Sequence, residues 1–250
     1  MSNKYLIEKS LKLRQDTFRA FIDHGEAHLG GSFSMIEMLL AVHEEVIEPE
    51  DKFILSKAHA SYPYCIYLRE KGFNIAIKTH FELDVENNIH CTTGSLGHGL
   101  PISVGMAMAR KMQHKKGNIY VLMSDGECQE GTTWESLLIA AKHKLDNLIV
   151  MIDYNKVQAL STLEEGLPLD NLAAKFEAFN WHTIEVVDGH SFDELVPKLQ
   201  EKNLSGKPCV YVCHTIKGKG VKPYEGDPVW HARKVKVEEA KIISKELGLS

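Results

Sequence analysis

Two short, uninterrupted apolar runs dominate the hydrophobic pattern of this chain. They are Ile119-Tyr120-Val121-Leu122-Met123 and Leu148-Ile149-Val150-Met151-Ile152. Each ends in a polar tip, Ser124-Asp125-Gly126 and Asp153-Tyr154-Asn155. Runs this short and this apolar predict strands buried on both faces of a parallel sheet. The segment between them, roughly 132–144, is long enough for a helical crossover, so both polar tips should lie at carboxyl ends of neighbouring strands. In open α/β sheets that end is where ligands bind.

The rest of the pattern alternates in the same way. Leu6, Leu11, Leu13, Phe18, Phe21 and Ile22 give residues 4–24 a helical period, with Gly25 as C-cap. His28-Leu29-Gly30-Gly31-Ser32 reads as a glycine-bearing loop. Ser34 is then the expected cap of a second helix, with Glu37 in the capping-box position. Phe53-Ile54-Leu55 predicts a strand, 56–71 a helix, 100–116 another, 171–179 and 192–201 two more, and 237–249 a last one. Strands are expected at 181–187 and 209–213. Residues 78–99 are polar, glycine-bearing and irregular, and such long irregular stretches are usually functional. Together these elements predict one α/β domain over residues 1–250, a mostly parallel sheet with helices on both faces.

Composition narrows the classes. Hydrophobic content of 44% and charged content of 25% are those of an ordinary globular protein. A net charge of -5 gives no support for nucleic-acid binding. The basic cluster at 111–116 suits the end of a helix facing water. No apolar stretch approaches membrane-spanning length and no signal-peptide pattern is visible. The five cysteines are scattered, with no Cys-x-x-Cys pair, which argues against a disulfide framework or zinc site. A reducing, cytoplasmic setting with no membrane partner is the expectation.

Chemistry enters at the two strand tips. A carboxylate at Asp125 and a carboxamide at Asn155, beside Gly126, suit a hard cation bridged to a diphosphate. The bland alternative is a turn and a polar strand end. The surroundings decide between them. The stretch Ser124-Asp-Gly-Glu-Cys-Gln-Glu-Gly131, followed by Trp134-Glu135, His143-Lys144-Leu145-Asp146-Asn147-Leu148 and Asp153-Tyr154-Asn155, strongly resembles the thiamin diphosphate motif of transketolases. Gly25-Glu-Ala-His28-Leu-Gly-Gly-Ser32, Ser56-Lys57-Ala58-His59-Ala60-Ser61, Thr93-Gly94-Ser95-Leu96-Gly97-His98-Gly99, Thr215-Ile-Lys-Gly-Lys-Gly220 and Trp230-His231 resemble further motifs of that family, in family order.

The resemblance implies a three-layer thiamin diphosphate-binding fold, with thiamin diphosphate and Mg2+ (or Ca2+ or Mn2+) as cofactors. It implies Asp125, Asn155 and the Val157 carbonyl as metal ligands. His59, Gly94, Leu96, Asp125, Gly126, Glu127, Asn155 and His231 would contact the cofactor. His28, His59, His80 and His231 would line the substrate channel, where histidine suits proton transfer near neutral pH. Glu130 and Glu135 resemble an acidic pair that lies at the family's dimer interface and couples active sites; their bland reading is carboxylates in the first turn of a helix. His24, His43, His114, His182 and His190 read as surface or core residues.

Several positions depart from the family pattern. Ser124 replaces a glycine, Lys156 a small residue, and His98 a glutamine. His90 is an extra histidine, and Ala232-Arg233 follow Trp230-His231. His80 lacks the usual flanking glycine and proline. The family's pyrimidine-binding and C-terminal domains find no counterpart here, as in the N-terminal subunit of a split transketolase. The expected partners are therefore a chain carrying the pyrimidine domain, a second copy of this chain in an α2β2-like assembly, and sugar or sugar-phosphate substrates. The expected reaction is transfer of a two-carbon ketol unit from ketose to aldose. The alternatives are a 2-oxoacid dehydrogenase or decarboxylase component of the same superfamily, and a catalytically silent binding subunit.

Overall fold

A computed structural model describes residues 3–25, 28–159, 161–230 and 233–249. Along the chain the elements are α1 Asn3–His24, α2 Leu29–Ser34, α3 Ile36–Glu45, β1 Lys52–Leu55, α4 Tyr62–Glu70, α5 Gly99–Met112, β2 Ile119–Ser124, α6 Gly131–Lys142, β3 Leu148–Tyr154, α7 Leu172–Ala178, β4 His182–Val186, α8 Phe192–Gln200, β5 Cys209–His214 and α9 Val237–Glu246. The five strands form one sheet in the order β1-β2-β3-β5-β4, and every pair is parallel. From β1 to β4 the chain steps across the sheet in one direction. It then steps back to place β5 between β3 and β4.

The apolar runs are continuous because successive residues serve opposite faces. Tyr120, Leu122, Met151, Cys209, Tyr211 and Cys213 join one buried cluster with residues of α1, α3, α4, α8 and α9. Val121, Met123, Val150, Ile152, Val210 and Val212 join the other, with residues of α5, α6 and α7. The forward crossovers run through α5, α6 and α7 on one face. The single backward step runs through α8 on the other, as a uniform crossover hand requires. No helix among the described residues is long and apolar enough to cross a membrane.

Three local expectations change. The Gly30-Gly31 stretch is helix, not loop: all of α2 is buried. A Cβ on Gly30 would stand 2.8 Å from the Trp230 carbonyl oxygen and 3.0 Å from Lys217 Cγ, so glycine serves close packing there rather than freedom. Ser34 and Glu37 form no capping box. Met35 precedes α3 without a side-chain cap, because both polar side chains are drawn into tertiary partners: Ser34 Oγ bonds Asp153, and Glu37 pairs with Arg14 at 2.7 Å and with His190 at 2.9 Å. The helix expected from Ser56 starts only at Tyr62. The Ser56 N–H instead continues the β1 ladder to the Leu122 carbonyl at 2.9 Å.

Residues 78–99 carry no long element, as expected. They fold back on themselves through the bridges Phe81–Thr93 and Asp84–Ile89, which brings His80 beside Gly94. Gly25 caps α1 with φ +72° and a 2.8 Å bond to the Phe21 carbonyl.

Candidate functional site

Register sets the site. Ser124 of β2 pairs with Asp153 of β3, so the chain just beyond both strands opens into one cleft of about 500 Å3 at the carboxyl end of the sheet. Asp125, Gly126, Asn155 and Val157 all line it. Asp125 is only 2% exposed. Its carboxylate accepts the Gly126 N–H at 2.8 Å and the Lys156 N–H at 2.6 Å. Lys156 adopts a left-handed φ of +64° between the two residues expected as ligands. Burial, and then the negative charge of Asp153, push Asp125 up to about 7. Asn155 donates its Nδ2 to Asp153 at 3.2 Å and accepts the Val157 N–H on Oδ1 at 3.1 Å. The Val157 carbonyl accepts Lys217 Nζ at 2.9 Å, and the Gln158 carbonyl accepts it at 3.1 Å.

A charged layer lies directly beneath. Asp153 is fully buried and accepts hydrogen bonds from Lys57, Ser34 (2.6 Å), Thr215 and Asn155. Burial works against its charge, but the Lys57 ammonium and these bonds hold the carboxyl below its usual range. Lys217 is drawn down to about 8, chiefly by burial. Glu127, expected among the cofactor contacts, does not line the cleft. It is fully buried and joins three segments, accepting from Ser56, from the Gly97 N–H at 3.1 Å and from the Ser124 N–H at 2.8 Å. Burial outweighs these donors and raises its pKa. Its place is the wall that holds the Gly97 turn against the tip of β2.

Three of the expected histidines converge where the structure describes them. His28, His59 and His80 line the cleft, with the His28 and His59 rings 4.9 Å apart and edge-on. Burial, then the neighbouring His80, lower the His28 pKa. His80 reaches the cleft on a left-handed φ of +61°. A Cβ on Gly94 would stand 2.9 Å from its ring, so the glycine makes room for the histidine. The expected family flanks are missing, yet the fold-back of 78–99 puts His80 in place. Gly94 and Leu96 line the same cleft. His231 lies outside the described residues. His90 and His98 do not line the cleft; His90 bonds Asn88 at 2.9 Å, and His98 bonds the Leu96 carbonyl at 3.0 Å.

Glu130 stands on the rim as the residue preceding α6, and Glu135 is exposed beyond the first turn of that helix. The first-turn reading therefore does not describe them. Sequence reasoning missed Lys57, Lys217, Gln129 and Gln158, which also line the cleft. Their signal in the sequence is weak, since lysine and glutamine ordinarily reach water.

The donor set suits a hard cation held with a diphosphate. No group of three or more His, Cys, Asp or Glu side chains among the described residues could hold a metal alone. One carboxylate, one amide oxygen and one carbonyl instead leave coordination positions for phosphate and water, as Mg2+ prefers. Asp125 is buried beside a second carboxylate, a placement a divalent cation would relieve. A Cβ on Gly126 would meet nothing within 4 Å, so the backbone there borders open space that an anion can enter.

The fold and site thus define an α/β domain with a charged, histidine-lined cleft at the strand carboxyl ends. The family model for the transketolase thiamine diphosphate binding domain matches residues 25–250, and the chain belongs to this family. It is 36% identical over 245 residues to the 6-deoxy-6-sulfo-D-fructose transketolase subunit SqwG of Clostridium sp. (strain MSTE9), covering 89% of each chain. It is 35% identical to an apulose-4-phosphate transketolase subunit of Actinobacillus succinogenes, covering 88% of this chain and 87% of that one. The crystal structure of Campylobacter jejuni transketolase superposes with a TM-score of 0.87 at 25% identity. All of this chain is covered in that match, but only 44% of the Campylobacter enzyme.

Proposed function

We propose that this chain is the cofactor-binding subunit of a two-chain transketolase, which moves a two-carbon ketol unit from a ketose to an aldose. The observation that carries the reading is Asp125: a buried carboxylate kept beside a second one, lining a cleft that also gathers His28, His59 and His80. Bound with Mg2+, thiamin diphosphate would supply a carbon nucleophile and, in its ring, an electron sink. Asp125, the Asn155 amide oxygen and the Val157 carbonyl would hold the cation. Gly126 leaves room for phosphate oxygens, and Lys57 and Lys217 bring positive charge to the same cleft. Gly94 and Leu96 would bound the organic part of the cofactor.

The histidines handle protons at the sugar. Cleavage of the donor needs a base at a hydroxyl, and addition to the acceptor needs an acid at the new alkoxide. His28, with its pKa lowered, is neutral near pH 7 and fit to accept a proton. Relatives that are named as transketolase subunits match nearly end to end, whereas the Campylobacter enzyme extends well beyond the match. The naming of those relatives as subunits supports a partner chain that supplies the pyrimidine-binding half. Ketol transfer should therefore appear when the purified chain is mixed with a partner carrying that domain, and be absent from either alone. Full activity of this chain by itself would refute the two-chain reading.

A further inference from the structure

We propose that Asp153 fixes which end of the Asn155 carboxamide faces the cleft, and that this orientation sets the affinity of the site for a divalent cation. The inference rests on the proposed role of Asn155 as a ligand and adds a residue that touches neither cation nor cofactor.

A carboxamide has two unlike ends. Only the oxygen can ligate a hard cation; the nitrogen carries two hydrogens and has no lone pair to offer. Two neighbours choose between the ends. The Val157 N–H, 3.1 Å away, needs an acceptor, and the Asp153 carboxylate, 3.2 Å away, needs a donor. Both demands give the same answer, with Oδ1 toward Val157 and the cleft and Nδ2 toward Asp153. A flipped amide would set two N–H donors against each other and an oxygen against a carboxylate.

Asp153 can enforce this only if it cannot turn. Ser34 from the end of α2, Lys57 from beyond β1 and Thr215 from beyond β5 all donate to it. Ser34 and Asp153 are both fully buried and Lys57 is nearly so. Lys57 is itself tied to the Gly31 carbonyl at 2.9 Å. Asp153 does not border the cleft. It is a positioning residue, and the elements that lock it come from both sides of β3.

The test measures metal affinity directly, by the electron paramagnetic resonance signal of free Mn2+ titrated into the full chain with excess thiamin diphosphate. Asp153→Asn should weaken Mn2+ binding about ten- to hundredfold, the usual effect of losing a partner behind a metal ligand. The exchanged pair Asp153→Asn with Asn155→Asp should restore affinity to within roughly threefold of wild type, because either carboxylate oxygen serves as ligand and orientation no longer matters. The exchanged pair keeps one carboxylate and one amide in place, so it is compared with wild type directly even if the single variant does not fold. Wild-type affinity in folded Asp153→Asn overturns the proposal, and so does an exchanged pair that folds without regaining affinity. A wild-type chain that binds no Mn2+ overturns the proposed function and this inference with it.

Discussion

Both ends of the parallel sheet are hollowed, and the larger hollow is the one without the chemistry. The cleft at the amino end measures about 620 Å3, against about 500 Å3 at the carboxyl end. It is rich in carboxylates, but Glu48, Glu50, Asp146 and Glu201 are all exposed. Its buried Asp51 is satisfied by the backbone N–H groups of Glu48 at 2.9 Å and Asn118 at 2.6 Å, and simply ties loops together. At the carboxyl end, Asp125, Glu127, Asp153, Lys57 and Lys217 are all buried. Burying charge is costly unless each group is paired or awaits a ligand. Volume therefore fails to mark the site here, and desolvated charge marks it.

This contrast ranks the expected effects of substitution. Asp125→Ala, assayed with a pyrimidine-domain partner, should reduce ketol transfer by more than the roughly hundredfold that follows loss of a partner behind a metal ligand. A residual rate near wild type would move the site elsewhere. Glu127→Ala should act on the fold. It strands the Ser124 and Gly97 N–H groups and the Ser56 hydroxyl, so denaturant unfolding should show a loss of about 3 kcal/mol or more.

The core offers an internal standard for the site's charges. His43 packs among Phe53, Tyr64 and Tyr67, and burial first of all holds its pKa down to about 3. Neutral in the fold, it supports stability above the unfolded value near 6.5. That support is lost below it, at about 1.4 kcal/mol per pH unit. Asp125 has the opposite sign. Its pKa is raised to about 7, so the metal-free fold gains from its protonation at low pH and loses that gain as pH rises from about 4 toward 7. The two windows overlap between about pH 4 and 6.5, so there His43→Phe should remove a rise of stability with pH, and Asp125→Asn a fall. Identical profiles for both variants would dissolve the distinction. The smallest effect belongs to the amino end: Glu201→Gln should change stability by no more than about 0.5 kcal/mol and leave activity unchanged.

The sheet was largely legible because β2, β3 and β5 are buried on both faces, and an unbroken apolar run is the direct trace of that. The tips Asp125 and Asn155 were legible for the same reason, since each follows such a run. What escaped was set by contacts distant in sequence. Gly30 and Gly31 look like a loop until Trp230 and Lys217 are packed against α2. Ser34 and Glu37 have the spacing of a cap, but Asp153, Arg14 and His190 compete for them more strongly. Glu127 sits inside the cofactor motif, yet its side chain turns into the wall because Ser124, Gly97 and Ser56 supply donors there. Lys57 and Lys217 gain their meaning only when three strand ends meet.

The central claim is that Asp125 is kept buried at a cost to the metal-free fold because a cation and diphosphate need it. Thermal unfolding of wild type and Asp125→Asn at pH 8, each with and without Mg2+ and thiamin diphosphate together, tests this most directly. Wild type should melt several degrees higher when both ligands are added, and the variant should not respond. A variant that rises as much as wild type with them would contradict the claim.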